Sequence, residues 1–197
     1  SNENLRLVAG GGSITAAGPI NLEQVGAGTG DLTITSALDA TFNGTVDVEN
    51  FTQTAGTGTT TFNQLFDVET AFAFTGDKLT VTGAGANDVG TTMTVTNAGI
   101  FKLDEGSTLT VGTFNQNGGL LGNNVIGDDI TADIAGITFD QQVTLTSGTA
   151  NDTIVLTSAG GAGNNIVFNG VANSVLNTVS NENLRLVAGG GSITAAG

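Results

Sequence analysis

Two acidic clusters, twenty residues apart, carry side chains whose type and spacing suit the binding of a metal ion. The first contains Asp47 and Glu49 and the second contains Asp67 and Glu69, in segments that align as ATFNGTVDVENF and TTFNQLFDVETA. Alternate residues of a β-strand lie on one face, so each pair points to the same side. Calcium accepts six to eight oxygen ligands in a flexible geometry, which makes it the candidate cofactor.

The spacing of the two clusters leaves two hypotheses open. If the segments form neighbouring parallel strands, successive carboxylates lie only about 4.8 Å apart. Like charges at that distance raise one another's pKa unless a cation lies between them. The alternative is a solvated acidic face that salt screens and that holds no cofactor. Residues 14–25 fit the same register more loosely, which extends the columns to Asn21 and Glu23.

Few residue types in this sequence could carry out catalysis. There is no Cys and no His, so thiol nucleophiles, imidazole bases and the usual zinc ligands are missing. Only Asp and Glu remain for general acid–base work. The sequence has only four basic residues that could bind an anionic substrate, Arg6, Lys78, Lys102 and Arg185. We therefore predict that the protein is not an enzyme.

The charge balance narrows the range of partners. The chain has 18 acidic and four basic residues, a formal net charge of −14. It offers no cationic stripe to contact phosphates, so no nucleic-acid binding is expected. No apolar run approaches the roughly eighteen residues that a membrane-spanning helix needs, so no membrane insertion is expected.

Hydrophobic residues alternate with polar ones in short runs, which indicates β-strands throughout. Each run is bounded by Gly, Asn, Asp or Ser, which suit turns. The runs include LRLVA (5–9), LTITS (32–36), TVDVE (45–49), LTVTG (79–83), MTVTN (93–97), TLTVG (108–112), VTLTS (143–147) and TIVLTS (153–158). The predicted fold class is all-β.

Repetition at coil length favours a parallel β-helix (β-solenoid) over a sandwich. The aligned segments at 40–51 and 60–71 are twenty residues apart, and their F-[N/D] element returns within 113–119, 137–145 and 166–174. A spacing of 20 to 29 residues is the length of one solenoid coil. Seven to eight coils would fill 179 residues. Phe42, Phe62, Phe139 and Phe168 are predicted to occupy similar interior positions, with Phe42 directly under Phe62.

A longer repeat defines the domain organisation. Residues 1–18 and 180–197 are both SNENLRLVAGGGSITAAG. The interpretation is that 1–179 is one solenoid repeat unit and that 180–197 is the first coil of the next identical repeat. A first segment duplicated by design is the alternative.

The phrases LTITSA, DATFNGTV, FTQTAG and ITFDQQVTLTS resemble bacterial extracellular surface proteins built from β-strand repeats. Those proteins include filamentous haemagglutinins and the β-helical passengers of autotransporters. The resemblance implies a right-handed parallel β-helix, export to the cell surface and a role in adhesion, matrix or fibre formation.

The expected function is that of a structural repeat or subunit of an extracellular fibre or cell-surface filament. Its expected partner is itself, through end-to-end stacking of coils, with lateral bundling of rods as a second mode, and its expected location is the cell surface. Two alternatives stay open. One is an adhesin stalk or binding module that contacts glycans or other cells, and the other is a fibre of separate subunits that exchange strands at their ends.

Overall fold

The computed structural model describes residues 3–22, 30–118, 122–149, 152–169, 176–178 and 182–195. All regular structure in these ranges is β-strand, which confirms the all-β prediction. Among these residues no helix is long and apolar enough to cross a membrane.

The strands belong to two sheets in which every described pairing is parallel. The larger sheet has 13 strands: β1 (Leu5–Val8), β3 (Ile20–Asn21), β4 (Asp31–Ser36), β6 (Val46–Gln53), β8 (Phe66–Gly76), β10 (Gly85–Asn97), β12 (Ser107–Gly118), β14 (Ile130–Ala132), β15 (Ile137–Phe139), β17 (Thr153–Ser158), β18 (Ile166–Phe168), β20 (Asn183–Ala188) and β21 (Ile193–Ala195). The smaller sheet has eight: β2 (Ile14–Ala16), β5 (Ala40–Phe42), β7 (Thr59–Phe62), β9 (Lys78–Val81), β11 (Ile100–Leu103), β13 (Asn123–Ile126), β16 (Gln142–Leu145) and β19 (Leu176–Thr178). Each strand pairs with one from the next turn of the chain, which is the arrangement of a parallel β-solenoid.

The register divides each turn into three faces. The first face is the smaller sheet. The second face consists of β3, β14, β17, β20 and the amino-terminal halves of β6, β8, β10 and β12. The third face consists of β1, β4, β15, β18, β21 and the carboxyl-terminal halves of the same four long strands.

The long strands bend where the second face meets the third. The register shifts between Val48 and Asn50 in β6 and between Val89 and Thr92 in β10. Gly90 lies at this bend, and a Cβ atom there would collide with the carbonyl oxygen of Glu69. Glycine therefore lets the backbones of neighbouring coils approach at the corner.

The alternating pattern buries one side of every central strand. In β6 the side chains of Val46, Val48 and Phe51 are at most 1% exposed, while the residues between them face outward. All ten phenylalanines are buried in this way. The interior is thus mainly apolar, and the burial of each large side chain favours the folded state by on the order of 2 kcal/mol.

All four phenylalanines predicted to be interior are buried, but the prediction that they occupy similar positions is wrong. Phe42 pairs with Phe62 on the first face, and their rings stack with centroids 4.8 Å apart. Phe139 and Phe168 also stack, at 5.7 Å, but they lie on the third face. The F-[N/D] element changes face because the number of residues per turn varies, from 19 between Leu32 and Phe51 to 33 between Val143 and Leu176.

A network of buried amides crosses the interior between the first and third faces. It joins Asn97, Gln116, Asn124 and Gln141, each at most 2% exposed. The Nε2 atom of Gln116 donates to Asn97 Oδ1 and to Gln141 Oε1, both at 2.8 Å. Its Oε1 atom accepts from Asn124 Nδ2 at 3.0 Å. These bonds satisfy polar groups that would otherwise be costly inside an apolar core, although among the described residues Asn124 Oδ1 is buried without a hydrogen-bond partner.

Candidate functional site

The second face carries a row of carboxylates on its outer surface. Asp47 lies opposite Asp67, and Asp67 lies opposite Asp88 in the next coil. Asn21 precedes the row, and its Nδ2 atom donates to Asp47 Oδ2 at 2.7 Å. We call Asp47, Asp67 and Asp88 the acidic column.

Local sequence explains why these carboxylates point outward. Each aspartate precedes a valine, and Val48, Val68 and Val89 are all buried. Since side chains of successive residues lie on opposite faces, a buried valine sets its aspartate neighbour outside. Asp88 was not among the candidate residues, although the Asp-Val dipeptide at 47–48, 67–68 and 88–89 was a signal that could have found it.

Glu49 and Glu69 lie at the corner where the long strands bend. The register shift after Val48 brings two residues of β8 opposite Glu49. The hydroxyl of Thr70, the second of these, donates to the Glu49 carboxylate. Glu69 is exposed and close enough to Asp67 and Asp88 to influence both. Glu23, the third glutamate of the expected column, lies outside the described residues.

The electrostatics of the acidic column reflect partial burial and repulsion. Burial is the main cause that raises the pKa of Asp67 above its usual value, followed by repulsion from Asp88, Asp47 and Glu69. Burial also leads in raising the pKa of Asp88, followed by repulsion from Asp133 and Glu69. Ionisation of Asp67 and Asp88 therefore costs more free energy in the folded protein than in water.

Asp47 holds one oxygen away from solvent. Within the part of the chain that the structure describes, Asp47 Oδ1 is buried and has no hydrogen-bond partner. The three aspartates line a shallow groove together with Thr45, Leu65 and other residues of the same strands.

The column is a row rather than a cage. Among the described residues, no group of three or more acidic side chains converges closely enough to hold one metal ion. A row of carboxylates attracts cations along its length and supplies few ligands to any single one.

A second group of carboxylates lies at the corner between the first and second faces, where they accept hydrogen bonds from backbone amides of the chain. Glu105 Oε2 accepts from the Gly148 amide at 2.8 Å, and Asp128 Oδ2 accepts from the Gly106 amide at 2.7 Å. Glu182 is 5% exposed, and its Oε1 accepts from the Ser147 amide at 3.1 Å. Asp128 and Glu182 join adjacent coils, and Glu105 reaches the second coil along, in each case by accepting a hydrogen bond from a backbone amide of a turn.

A broad apolar groove lies at the corner between the third and first faces. Small residues of four successive coils line it, among them Ala55, Gly76, Ala98 and Gly118. One carboxylate, that of Asp77, is among the described lining residues, and no aromatic ring is. The groove offers shape and apolar surface but no reactive group.

Comparison with protein-family models, curated proteins and solved structures gave no match. The class of the protein therefore rests on its own geometry, a parallel β-solenoid with a row of carboxylates on one outer face.

Proposed function

We propose that this chain is a structural segment of an extracellular fibre or cell-surface filament. The observation that supports this function best is one uninterrupted interior column. Parallel pairing carries it along the third face from the partly buried Leu5, through Leu32, Phe51, Phe72, Met93, Phe114, Ile137 and Ile166, to Ile193, which is 50% exposed at the far end. At about 4.8 Å per strand, eight such steps extend a rod by roughly 38 Å.

The proposed rod is a right-handed helix of seven to eight coils per 179-residue unit, and it continues end to end with further copies. Parallel edge strands present unpaired peptide groups, which another copy would satisfy through the same ladder. The partner in this proposal is the protein itself.

The proposed role is mechanical and not catalytic. The carboxylates at the corner of the first and second faces hold turns together, and those of the acidic column face solvent. We propose that diffuse cations, calcium among them, neutralise this column. A net charge of −14 keeps such rods apart in solution.

The cell-surface location is an extension of the resemblance to bacterial β-strand-repeat surface proteins. It is tested with antibodies against the chain applied to intact and permeabilised source cells. We expect labelling of filaments on intact cells. Labelling that requires permeabilisation would contradict the proposed location.

The rod itself is tested by diffraction from an oriented, concentrated sample of the protein. We expect a meridional reflection near 4.8 Å, because the strands run across the long axis. Electron microscopy of the same sample should show rods of one width whose lengths increase in steps of roughly 38 Å. Compact particles of one size at every concentration would contradict end-to-end assembly.

A binding role on the same rod has one supporting observation, the apolar groove lined by Gly56, Gly76 and Ala98. Such a groove suits an apolar partner better than a glycan, because glycan platforms use exposed aromatic rings. All ten phenylalanines are inside, and the sequence has no Trp or Tyr. Binding to a glycan array would nevertheless favour the adhesin hypothesis over the structural one.

A further inference from the structure

The two identical segments of the chain lie on different faces of the solenoid. Leu5 in the first copy belongs to the third face, where it pairs with Leu32. Its counterpart Leu184 belongs to the second face, where it pairs with Ile154. The third-face column that begins at Leu5 reaches Ile193 in the second copy, and Ile193 is the counterpart of Ile14.

The same shift applies to the other strand of the segment. Ile14 lies on the first face and pairs with Ala40, whereas Ile193 lies on the third face and pairs with Ile166. Both strands of the segment therefore move back by one face between the two copies.

The segment fits either position because its alternating pattern is the same in both. Leu5 and Leu7 pack against the core in the first copy, as Leu184 and Leu186 do in the second. Arg6 and Arg185 are exposed. An LRL strand needs only an apolar interior and a parallel neighbour, which all three faces supply.

From this placement we propose that a second copy of the chain docks its residues 3–16 on β17 and β18 in place of the first copy's own β20 and β21, rotated by one face relative to the first copy. This inference rests on the proposed fibre. The described position of residues 182–195 shows the contacts, since the docking segment has the same sequence. One 179-residue unit then extends the solenoid to one face short of eight full coils.

The rotation by one face determines which sides of the fibre carry the acidic columns. The acidic column of each unit lies on a face different from that of the unit before, and the pattern returns after three units. A fibre built in this way is acidic on all sides. Without the turn, one side would carry every acidic column.

Disulfide trapping tests the turn, because the chain has no Cys. Val155 on the second face pairs with Arg185, the counterpart of Arg6, and Val167 on the third face pairs with Thr194. A docked second copy places Arg6 beside Val155 if it is turned and beside Val167 if it is not. Paired Cα atoms of adjacent strands lie within the range that a disulfide spans.

The experiment mixes a full-length R6C chain with a full-length V155C or V167C chain. The V155C and V167C chains also carry L184D, which weakens the hold of their own last coil on β17 and frees that edge. One cysteine of each mixture is activated beforehand, so that only mixed disulfides form. Nonreducing gels then measure the dimer yield.

We expect the V155C mixture to give at least tenfold more dimer than the V167C mixture. Dimer from the V167C mixture alone would show that the second copy is not rotated by one face. End-to-end docking, and with it the proposed fibre, would remain supported. Dimer from neither mixture would overturn docking at this edge, and electron microscopy of rods would still test the fibre separately.

A within-chain control uses the full-length double variants V155C/R185C and V167C/R185C. We expect an intrachain disulfide in the first and none in the second, because Arg185 lies opposite Val155. The reverse result would place the second copy of the segment on the third face and overturn the proposal at its first step.

Discussion

Phe42 and Phe62 stack in the core with ring centroids 4.8 Å apart and planes inclined by 15°, although twenty residues separate them in the sequence. The stack forms because their strands, β5 and β7, are paired in register. Phe62 also contacts Phe51, Phe66 and Phe72, so it lies at the centre of an aromatic cluster.

Replacing Phe62 with alanine is expected to lower the free energy of unfolding by about 3 to 5 kcal/mol, because it removes a ring that is 1% exposed and leaves a cavity. Phe62→Asp should cost more, since it also buries a charge. Urea unfolding measures both. The outward neighbour provides a control, and Thr61→Ala should change stability by no more than about 0.5 kcal/mol. Equal effects at 61 and 62 would show that Phe62 is not interior.

The buried amide network makes a second prediction about stability. Gln116→Leu removes one hydrogen-bond partner each from Asn97, Asn124 and Gln141 and leaves an apolar side chain of similar length. Asn124 Nδ2 and Gln141 Oε1 keep their bonds to Gln142 O and Asn97 Nδ2, whereas Asn97 Oδ1 loses the one bond described for it. A buried group left without a partner costs about 1 to 3 kcal/mol, so a loss in that range is expected. Asn115→Ala, on the outer side of the same strand, is the matched control. An unchanged midpoint of denaturation for the leucine variant would mean that the network does not stabilise the fold.

The raised pKa values of Asp67 and Asp88 predict how stability depends on pH. A carboxyl group with a raised folded-state pKa binds its proton more tightly in the folded protein. Its stabilising contribution is fully present below the ordinary pKa of 3.8 and is lost as the pH rises through the higher folded-state pKa. Thermal unfolding across this range should therefore show the parent losing stability as the pH rises.

The double variant D67N/D88N removes both titrating groups. It should lose less stability than the parent over the same pH range and should be the more stable of the two at pH 7. High salt should narrow the difference, because it screens the repulsion among the carboxylates. A variant whose pH dependence matches that of the parent would exclude these two aspartates as the cause.

Cations provide the test of the acidic column as a metal site. Because the described carboxylates form a row and not a cage, we expect calcium and magnesium at equal concentration to raise the melting temperature of the parent alike. The variant in which Asp47, Glu49, Asp67 and Glu69 become Asn or Gln should respond less to both ions. A response of the parent to calcium alone, concentration-dependent and lost in the variant, would instead establish a calcium site.

The bend between the second and third faces depends on glycine. Gly90→Ala is expected to be destabilising, since the new Cβ atom would collide with the Glu69 carbonyl oxygen of the preceding coil. Gly160→Ala is the control, because a Cβ atom there meets nothing within 4 Å. Chemical denaturation compares the two, and equal stabilities would show that the corner has room for a side chain.

The sequence alone predicted the β-strand conformation and the pairing of the aligned segments around Asp47 and Asp67. Alternation of apolar and polar residues predicted strands with one buried side, and the aligned segments around Asp47 and Asp67 predicted that the two would be neighbours. These features depend on residues close in sequence and on a period of two, which any parallel coil preserves.

The tertiary structure decided which distant residues meet. The number of residues per coil varies because the corners differ in length. A fixed spacing in the sequence therefore does not always place two residues on the same face. Phe139 therefore lies on the third face, Asp88 joins the acidic column, and the bend brings Thr70 to Glu49. For the same reason, two segments of identical sequence occupy different faces, since the intervening coils do not close on a whole number of turns.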